Sequence, residues 1–71
     1  MILLQDSLET KKRGKPVYFG GMSQIGPMYT EITDCAEKFR DRREAQSSPA
    51  YHHPLCFFEP VEVIEKHQNS D

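Results

Sequence analysis

The sequence predicts a small α+β domain in which one helix packs on one face of a three- or four-stranded antiparallel-type sheet, in the order β-β-α-β. Three observations lead to this prediction. Two short segments rich in β-branched and aromatic residues flank a glycine-rich turn. A stretch with two aspartate–glutamate pairs at helix-capping spacing follows them. The last segment alternates valine with glutamate, as a strand with one solvated face does.

The size and composition indicate one small globular domain. The chain has 71 residues, of which 37% are hydrophobic and 28% are charged. Its formal net charge of -2 argues against a domain that coats nucleic acid. We find no secretory signal and no run of transmembrane length, so we expect a cytoplasmic protein with reduced cysteines and no membrane contact.

The chain opens with an apolar segment that runs into a basic turn. We predict that residues 1–14 form an N-terminal arm or a short edge strand, with a helical turn that stops at Gly14. Residues 15–66 then form the single ββαβ domain, and residues 67–71 form a frayed tail.

A glycine-rich hairpin is expected next. Pro16 suits the first position of a strand, and Val17 and Phe19 then fall on its core-facing side. The segment MYTEI forms the second strand. The broad turn between the two strands contains Gly20, Gly21, Gly26 and Pro27.

One helix of about three turns is predicted after the hairpin. Asp34 precedes Glu37 by three positions, and Asp41 precedes Glu44 by the same interval, which is the spacing of a capping box. The helix can therefore begin at Asp34 and restart at Asp41. Phe39 is its expected anchor on the sheet.

The core and the last strand complete the predicted fold. Phe39 is expected to pack against Phe19 and Ile32. The final strand lies in the segment LCFFEPVEVIEK. Pro60 lacks a backbone donor, so its presence there implies an edge position or a bulge.

The run YTEITDCAEKFRDRREA, residues 29–45, resembles a pattern found in small uncharacterised open reading frames of phages, prophages and bacteria. In those sequences a threonine and an aspartate end a strand, and an alanine, a phenylalanine and a Glu-Ala pair follow. The matching positions here are Thr30 or Thr33, Asp34, Ala36, Phe39, Glu44 and Ala45. The resemblance implies a hairpin followed by a helix, a phage or prophage setting, and a host protein as the partner; it implies no catalytic residues.

Two adjacent histidines lie shortly before a cysteine in SSPAYHHPLCFF. A structural zinc site needs four nitrogen or sulfur ligands. The candidate set is Cys35, His52, His53 and Cys56. Its spacing matches no standard zinc motif, and adjacent side chains in an extended loop diverge. We therefore predict no metal and no cofactor, and we keep a zinc-stabilised module as an alternative.

Catalysis has little support in the sequence. A Cys–His pair needs an exposed, acidified thiol, whereas Cys56 precedes Phe57 and Phe58 and is expected to be buried. The run GGMSQIG lacks the Lys-Ser/Thr ending of a phosphate-binding loop. We predict that the protein is not an enzyme.

Charge and surplus apolar surface favour a role in protein binding. The apolar residues are more than so small a core can bury, and this surplus consists of Met1 to Leu4, Ile25, Met28, Tyr51 and Leu55. Basic residues would steer a partner, and tyrosines would anchor it. The predicted partner-binding residues are Lys11, Lys12, Arg13, Tyr18, Tyr29, Arg40, Arg42, Arg43 and Tyr51.

The predicted partner is a host protein, which this chain binds and modulates. A homodimer contact or strand addition at a free sheet edge would use the same surplus surface. Nucleic acid is the rival partner, because the basic run in KKRGKPVYF adjoins two aromatic residues on which bases could stack.

Overall fold

A four-stranded antiparallel sheet carries the structure, which confirms the predicted α+β class. The computed structural model describes residues 1–64, so residues 65–66 of the predicted domain and the predicted tail, 67–71, lie outside the described residues. The elements are β1 (Ile2–Asp6), α1 (Ser7–Arg13), β2 (Tyr18–Ser23), β3 (Gly26–Thr30), a 3-10 turn (Thr33–Cys35), α2 (Arg42–Gln46) and β4 (Phe58–Glu62). Across the sheet the strand order is β3-β2-β1-β4.

The first strand lies in the middle of the sheet, so the prediction of an N-terminal arm or edge strand is wrong. β1 pairs along its whole length with β4 and at Gln5 with β2. Its residues Ile2, Leu3 and Leu4 are each at most 4% exposed. A strand covered on both faces shows a continuous apolar run instead of alternation, which is why the sequence alone does not distinguish it from surplus surface.

Two apolar clusters lie on the two faces of this sheet. The larger one contains Ile2, Leu4, Phe19, Phe39, Ala45, Ala50 and Phe58. The smaller one contains Leu3, Tyr18 and Ala36, with Met1, Val61 and Val63 packed against it. Consecutive residues of a strand point to opposite faces, so β1 contributes to both clusters.

The glycine-rich hairpin is confirmed, but its turn is tighter than predicted. β2 and β3 pair out to Ser23 opposite Gly26, which leaves Gln24 and Ile25 as a two-residue turn. Gly21 and Gly26 have φ values of 115° and 124°, in a region that L side chains rarely adopt. The sequence prediction assigns Gly21 to the turn, whereas it lies where a β-bulge shifts the pairing register inside β2.

A short stretch outside the regular strands, residues 36–39, lies between β1 and β2; we call it the inserted stretch. On one side the backbone N–H of Glu37 donates to the carbonyl of Phe19 at 2.9 Å. On the other side Ile2 and Phe39 exchange two backbone hydrogen bonds of 3.2 and 2.9 Å. The inserted stretch thereby forms backbone hydrogen bonds with both β1 and β2. It also places the ring of Phe39 in the larger cluster.

The predicted three-turn helix is replaced by two short pieces. The helix start at Asp34 is wrong, because the residues that follow the 3-10 turn supply backbone partners to β1 and β2 instead. The predicted cap at Asp41 is confirmed, although the Glu44 side chain accepts the backbone N–H of Arg40 and not that of Asp41. Oδ1 of Asp41 accepts the backbone N–H of Glu44 at 2.9 Å, and α2 begins there. The implied hairpin followed by a helix is thus present only in a shortened form, and Phe39 reaches the core from the inserted stretch.

Two residues expected near the core are on the surface. Ile32 is 59% exposed and Phe57 is 55% exposed. Successive side chains of an extended chain alternate, so Phe58 takes the inward position at the start of β4 and Phe57 is turned outward. The expected pairing of Phe39 with Phe19 is confirmed, since both belong to the larger cluster.

Pro60 lies in an edge strand, as predicted. The backbone N–H of Val63 donates to Met1 at 2.9 Å, so odd-numbered residues near the end of the chain face β1 and Pro60 faces outward. The missing N–H of Pro60 therefore removes no hydrogen bond between β4 and β1. Pro27 lies in β3, the opposite edge strand, so each edge of the sheet contains one residue that cannot donate to an added strand.

Asp6 joins three parts of the fold through its side chain and its backbone, and the residue is 1% exposed. Its Oδ1 accepts the backbone N–H of Glu9 at 2.8 Å and so caps α1, which ends at Gly14 as predicted. Its Oδ2 accepts the backbone N–H of Phe57, 51 positions away, at 3.1 Å. Its own backbone N–H donates to Val17 at 2.9 Å. A buried carboxylate needs such partners, and both of its oxygens have one.

Replacing Asp6 with alanine should lower the free energy of unfolding by about 2–4 kcal/mol, because a helix cap and the acceptor of the part-buried Phe57 N–H are lost together. Urea unfolding followed by circular dichroism measures the change. Asp34→Ala is the control, since Asp34 is exposed and makes no capping bond; it should change stability by less than about 0.5 kcal/mol. Equal effects of the two variants would contradict this assignment.

The central position of β1 predicts a contrast between two leucines. Leu3 is fully buried and Leu8 is 46% exposed. Leu3→Ala should cost about 2–5 kcal/mol of unfolding free energy through lost burial and a cavity, whereas Leu8→Ala should cost much less. Thermal unfolding compares the two. If Leu3→Ala melts like the unaltered protein, β1 is not a central strand.

Candidate functional site

An open groove of about 440 Å³ lies where the start of α2 meets one end of the sheet. It brings together the beginning of β1, the beginning of α2 and the end of β4. We call it the arginine groove. Its lining residues are Met1, Ile2, Arg40, Asp41, Arg42, Arg43 and Glu62.

The three arginines of the groove have donors left for a ligand. Nη1 of Arg42 donates to the carbonyl of Pro60 at 3.0 Å, which holds its guanidinium against β4. Within residues 1–64 no carboxylate lies within 4.0 Å of the guanidinium of Arg40, Arg42 or Arg43. A guanidinium has five N–H donors and keeps its charge at every physiological pH. The groove therefore offers permanent positive charge.

Two carboxylates also line the groove, and both have partners. Oδ1 of Asp41 caps α2 through the backbone N–H of Glu44. Oε2 of Glu62 lies 3.1 Å from the amino nitrogen of Met1. Three guanidinium groups and the amino group of Met1 against two carboxylates leave the groove with a net charge of 3 + 1 − 2 = +2. The potential is positive but moderate.

The stability of the helix does not explain all three arginines. Arg40 precedes α2 and Arg42 is its first residue, where a positive side chain is unfavourable. Arg43 lies in the last turn of this five-residue helix, where a positive side chain is favourable. All three are exposed. A ligand is therefore the better explanation for Arg40 and Arg42.

In the other basic run, residues 11–15, most of the positive charges are paired with carboxylates of the same fold. Glu31 accepts Nη1 of Arg13 at 3.1 Å and lies 3.5 Å from Nζ of Lys15. Glu9 lies 3.5 Å from Nζ of Lys12 and 3.4 Å from Nε of Arg13. These ion pairs connect α1 to the end of β3. They leave this run less free to meet an acidic partner than the arginine groove.

The pairing changes how these groups titrate. The hydrogen bond from Arg13 lowers the pKa of the Glu31 carboxyl, and the charge of Lys15 acts in the same direction against the opposing effect of burial. The same hydrogen bond raises the pKa of Arg13. Both shifts favour the charged pair at neutral pH.

The three predicted tyrosine anchors differ in exposure. Tyr18 is 8% exposed, because Leu3 and Ala36 pack with it in the smaller cluster. The prediction that Tyr18 is an exposed anchor for a partner is therefore wrong. Tyr51 is half-buried against the larger cluster. Tyr29 is the most exposed of the three at 36%, and its ring centroid lies 5.7 Å from that of Phe58.

Tyr29 contacts the cysteine that precedes β4. Its hydroxyl oxygen lies 3.5 Å from Sγ of Cys56. Burial raises the pKa of the Tyr29 phenol, and the contact with Cys56 and the negative charge of Asp6 act in the same direction. The phenol therefore stays protonated at neutral pH. Cys56 itself is half-buried against the larger cluster.

The alternative zinc set is not brought together. Nε2 of His52 lies 2.8 Å from the carbonyl oxygen of Gln46, and Nδ1 of His53 accepts the backbone N–H of Leu55 at 3.2 Å. Cys35 lies exposed in the 3-10 turn. In the described part of the chain, no group of three or more His, Cys, Asp or Glu side chains is placed to hold a metal ion. The two histidines instead form hydrogen bonds with the backbone at and beside the loop between α2 and β4.

Part of the predicted surplus of apolar surface is confirmed. Ile25 at the hairpin turn is 99% exposed, and Leu55 is 80% exposed. Met28 on β3 is 47% exposed. The segment Met1 to Leu4 does not belong to this surplus, since it is packed into the sheet.

The apolar and acidic walls of the groove are not among the sequence-predicted site residues. The sequence prediction includes Arg40, Arg42 and Arg43, and the structure places all three in one groove. It does not include Ile2 or Glu62, which lie opposite each other in the β1–β4 register. Only the recognition of β1 as a central strand paired with the last strand could have found them.

Comparisons with protein-family models, with curated proteins and with solved structures found no match. Within residues 1–64, no helix combines the length and the apolar character needed to cross a membrane.

The Glu31 ion pairs generate a prediction about pH. The Glu31 pKa is lowered by folding, so its stabilising contribution is present above the unfolded value of 4.5 and is lost as the pH falls through the lower folded value. Glu31→Gln should therefore be less stable than the unaltered protein at pH 7, and the difference should vanish in strong acid. Urea unfolding across this pH range measures it. A difference that persists unchanged in acid would show that charge is not its cause.

Proposed function

We propose that this protein is a non-catalytic binding module of phage or prophage type, which docks on a host protein through the arginine groove and modulates it. The observation that carries the proposal is the convergence of three arginines on one groove with no described carboxylate within 4.0 Å of their guanidinium groups. The phage setting and the host partner rest on the resemblance of residues 29–45 to small phage and prophage reading frames.

The chemistry of the groove suits an acidic protein surface. Guanidinium groups bind carboxylates through paired, charge-assisted hydrogen bonds, and they lose less hydration than ammonium groups do. Positive charge on a rim also speeds the encounter with an acidic partner. Exposed apolar side chains at the hairpin turn and beside β4 add contact area, led by Ile25 and Leu55.

The non-catalytic part of the proposal is supported by the groups that line the groove. Guanidinium groups do not act as bases, and the carboxylates of Asp41 and Glu62 already have partners. The thiol of Cys56 contacts Tyr29, while His52 and His53 bond to neighbouring backbone. The protein would act in the cytoplasm, where free cysteines stay reduced.

The test reverses the charge of two groove arginines. Arg40→Glu/Arg43→Glu should weaken host-protein binding by at least about tenfold and leave the melting temperature nearly unchanged, because both side chains are exposed. Arg42 is left intact because of its hydrogen bond to Pro60. The binding constant is measured by calorimetry with the purified partner.

The matched control is Lys11→Glu/Lys12→Glu, which makes the same change in net charge on the other basic run. The partner is captured from nuclease-treated bacterial lysate on protein biotinylated at the exposed Cys35, so that Met1 beside the groove stays free. Equal loss of binding in both double variants would point to general electrostatics. Unaltered binding in the arginine variant would remove the groove from the proposal.

A further inference from the structure

We infer that the arginine groove recognises a short acidic–apolar segment of its partner, in which an aspartate or glutamate lies next to an aliphatic side chain. The inference rests on the proposed function. It adds which side chains of the partner protein bind in the groove. It follows from four features of the groove: its free donors, its moderate charge, its apolar wall and the blocked strand edge beside it.

The free donors select an oxyanion. Arg40 and Arg43 have no hydrogen bond from their guanidinium groups to any residue in 1–64. Arg42 uses Nη1 on Pro60 and keeps its other N–H groups. A carboxylate can accept two parallel hydrogen bonds from one guanidinium, which gives geometric as well as electrostatic selectivity.

The moderate charge selects a carboxylate segment over a nucleic-acid backbone. Asp41 and Glu62 line the same groove, so its charged groups, including the amino group of Met1, sum to +2. A nucleic-acid backbone brings one negative charge with every nucleotide and exceeds this charge. One or two carboxylates match the available charge.

The apolar wall selects an aliphatic neighbour for that carboxylate. Met1 and Ile2 are the apolar residues that line the groove, and Ile2 is only 4% exposed, so Met1 provides most of this wall. The side chain of Met1 is 15% exposed, so part of it remains open to a ligand. An aliphatic side chain laid against this wall removes apolar area from water on both partners. The groove volume of about 440 Å³ is that of a small-ligand site, which suits a segment of a few residues.

The adjacent strand edge disfavours binding by strand addition. Pro60 faces outward from β4 and has no N–H, and its carbonyl already accepts from Arg42. A peptide in the groove therefore gains little from main-chain pairing with β4. Its side chains must provide the affinity, which makes recognition depend on the acidic–apolar pair.

The experiment titrates the full chain with defined probes and follows backbone amide shifts by NMR. The probes are a peptide alternating glutamate with leucine, a peptide of equal length and charge alternating glutamate with glycine, and one alternating glutamine with leucine. Inorganic phosphate and single-stranded DNA complete the set. The glutamate–leucine peptide should shift the amides of Ile2, Arg40, Arg43 and Glu62 and bind about tenfold more tightly than either matched peptide.

The outcomes separate this inference from the proposed function. Equal affinity of the glutamate–leucine and glutamate–glycine peptides, or tighter binding of phosphate or DNA at the same amides, overturns the inference. So does the absence of any peptide binding, even if host-protein binding still depends on Arg40 and Arg43. If Arg40→Glu/Arg43→Glu abolishes binding of the glutamate–leucine peptide but not of the host protein, the inference stands for the groove and the proposed docking mode fails.

Discussion

The carboxylate of Asp6 is the interaction on which the rest of the structure depends. It lies 1% exposed at the end of β1, and its two oxygens accept N–H groups from the first turn of α1 and from the residue before β4. A buried carboxylate without such partners would cost on the order of several kcal/mol. The chain must therefore bring the helix and the last strand to one point. That requirement fixes where β1 ends, where α1 begins and how β4 enters the sheet.

The other end of the same strand pair builds the arginine groove. Ile2 is opposite Glu62 in the β1–β4 register, and its backbone also pairs with Phe39. Because Ile2 pairs with both Glu62 and Phe39, Arg40, the residue after Phe39, lies close to Glu62. The other two arginines, at the start of α2, lie in the same groove. The groove is therefore formed by three segments that are distant in sequence and that the backbone of Ile2 holds together. Its geometry depends on the pairing of the sheet.

Local signals in the sequence were sufficient for the fold class and insufficient for the groove. The valine–glutamate alternation, the hairpin glycines and the Asp41 capping box are short-range patterns, and each corresponds to an element of the structure. The capping spacing at Asp34 is equally good locally, but backbone pairing of the inserted stretch with β1 and β2 overrides it. The position of β1 is not predicted by local patterns, because a short apolar run does not distinguish a buried strand from an arm. No local pattern connects Ile2 with Glu62.

The central position of β1 has a consequence for how the chain folds. β1 is synthesised well before the strand that pairs along its whole length, β4, which begins only at Phe58. Until then one edge of β1 is unpaired and both of its apolar faces lack their full cover. Contacts between such distant segments require costly loop closure, so we expect the final closure of the sheet to limit the folding rate. During that interval the exposed apolar strand is the part of the chain most in need of protection from aggregation.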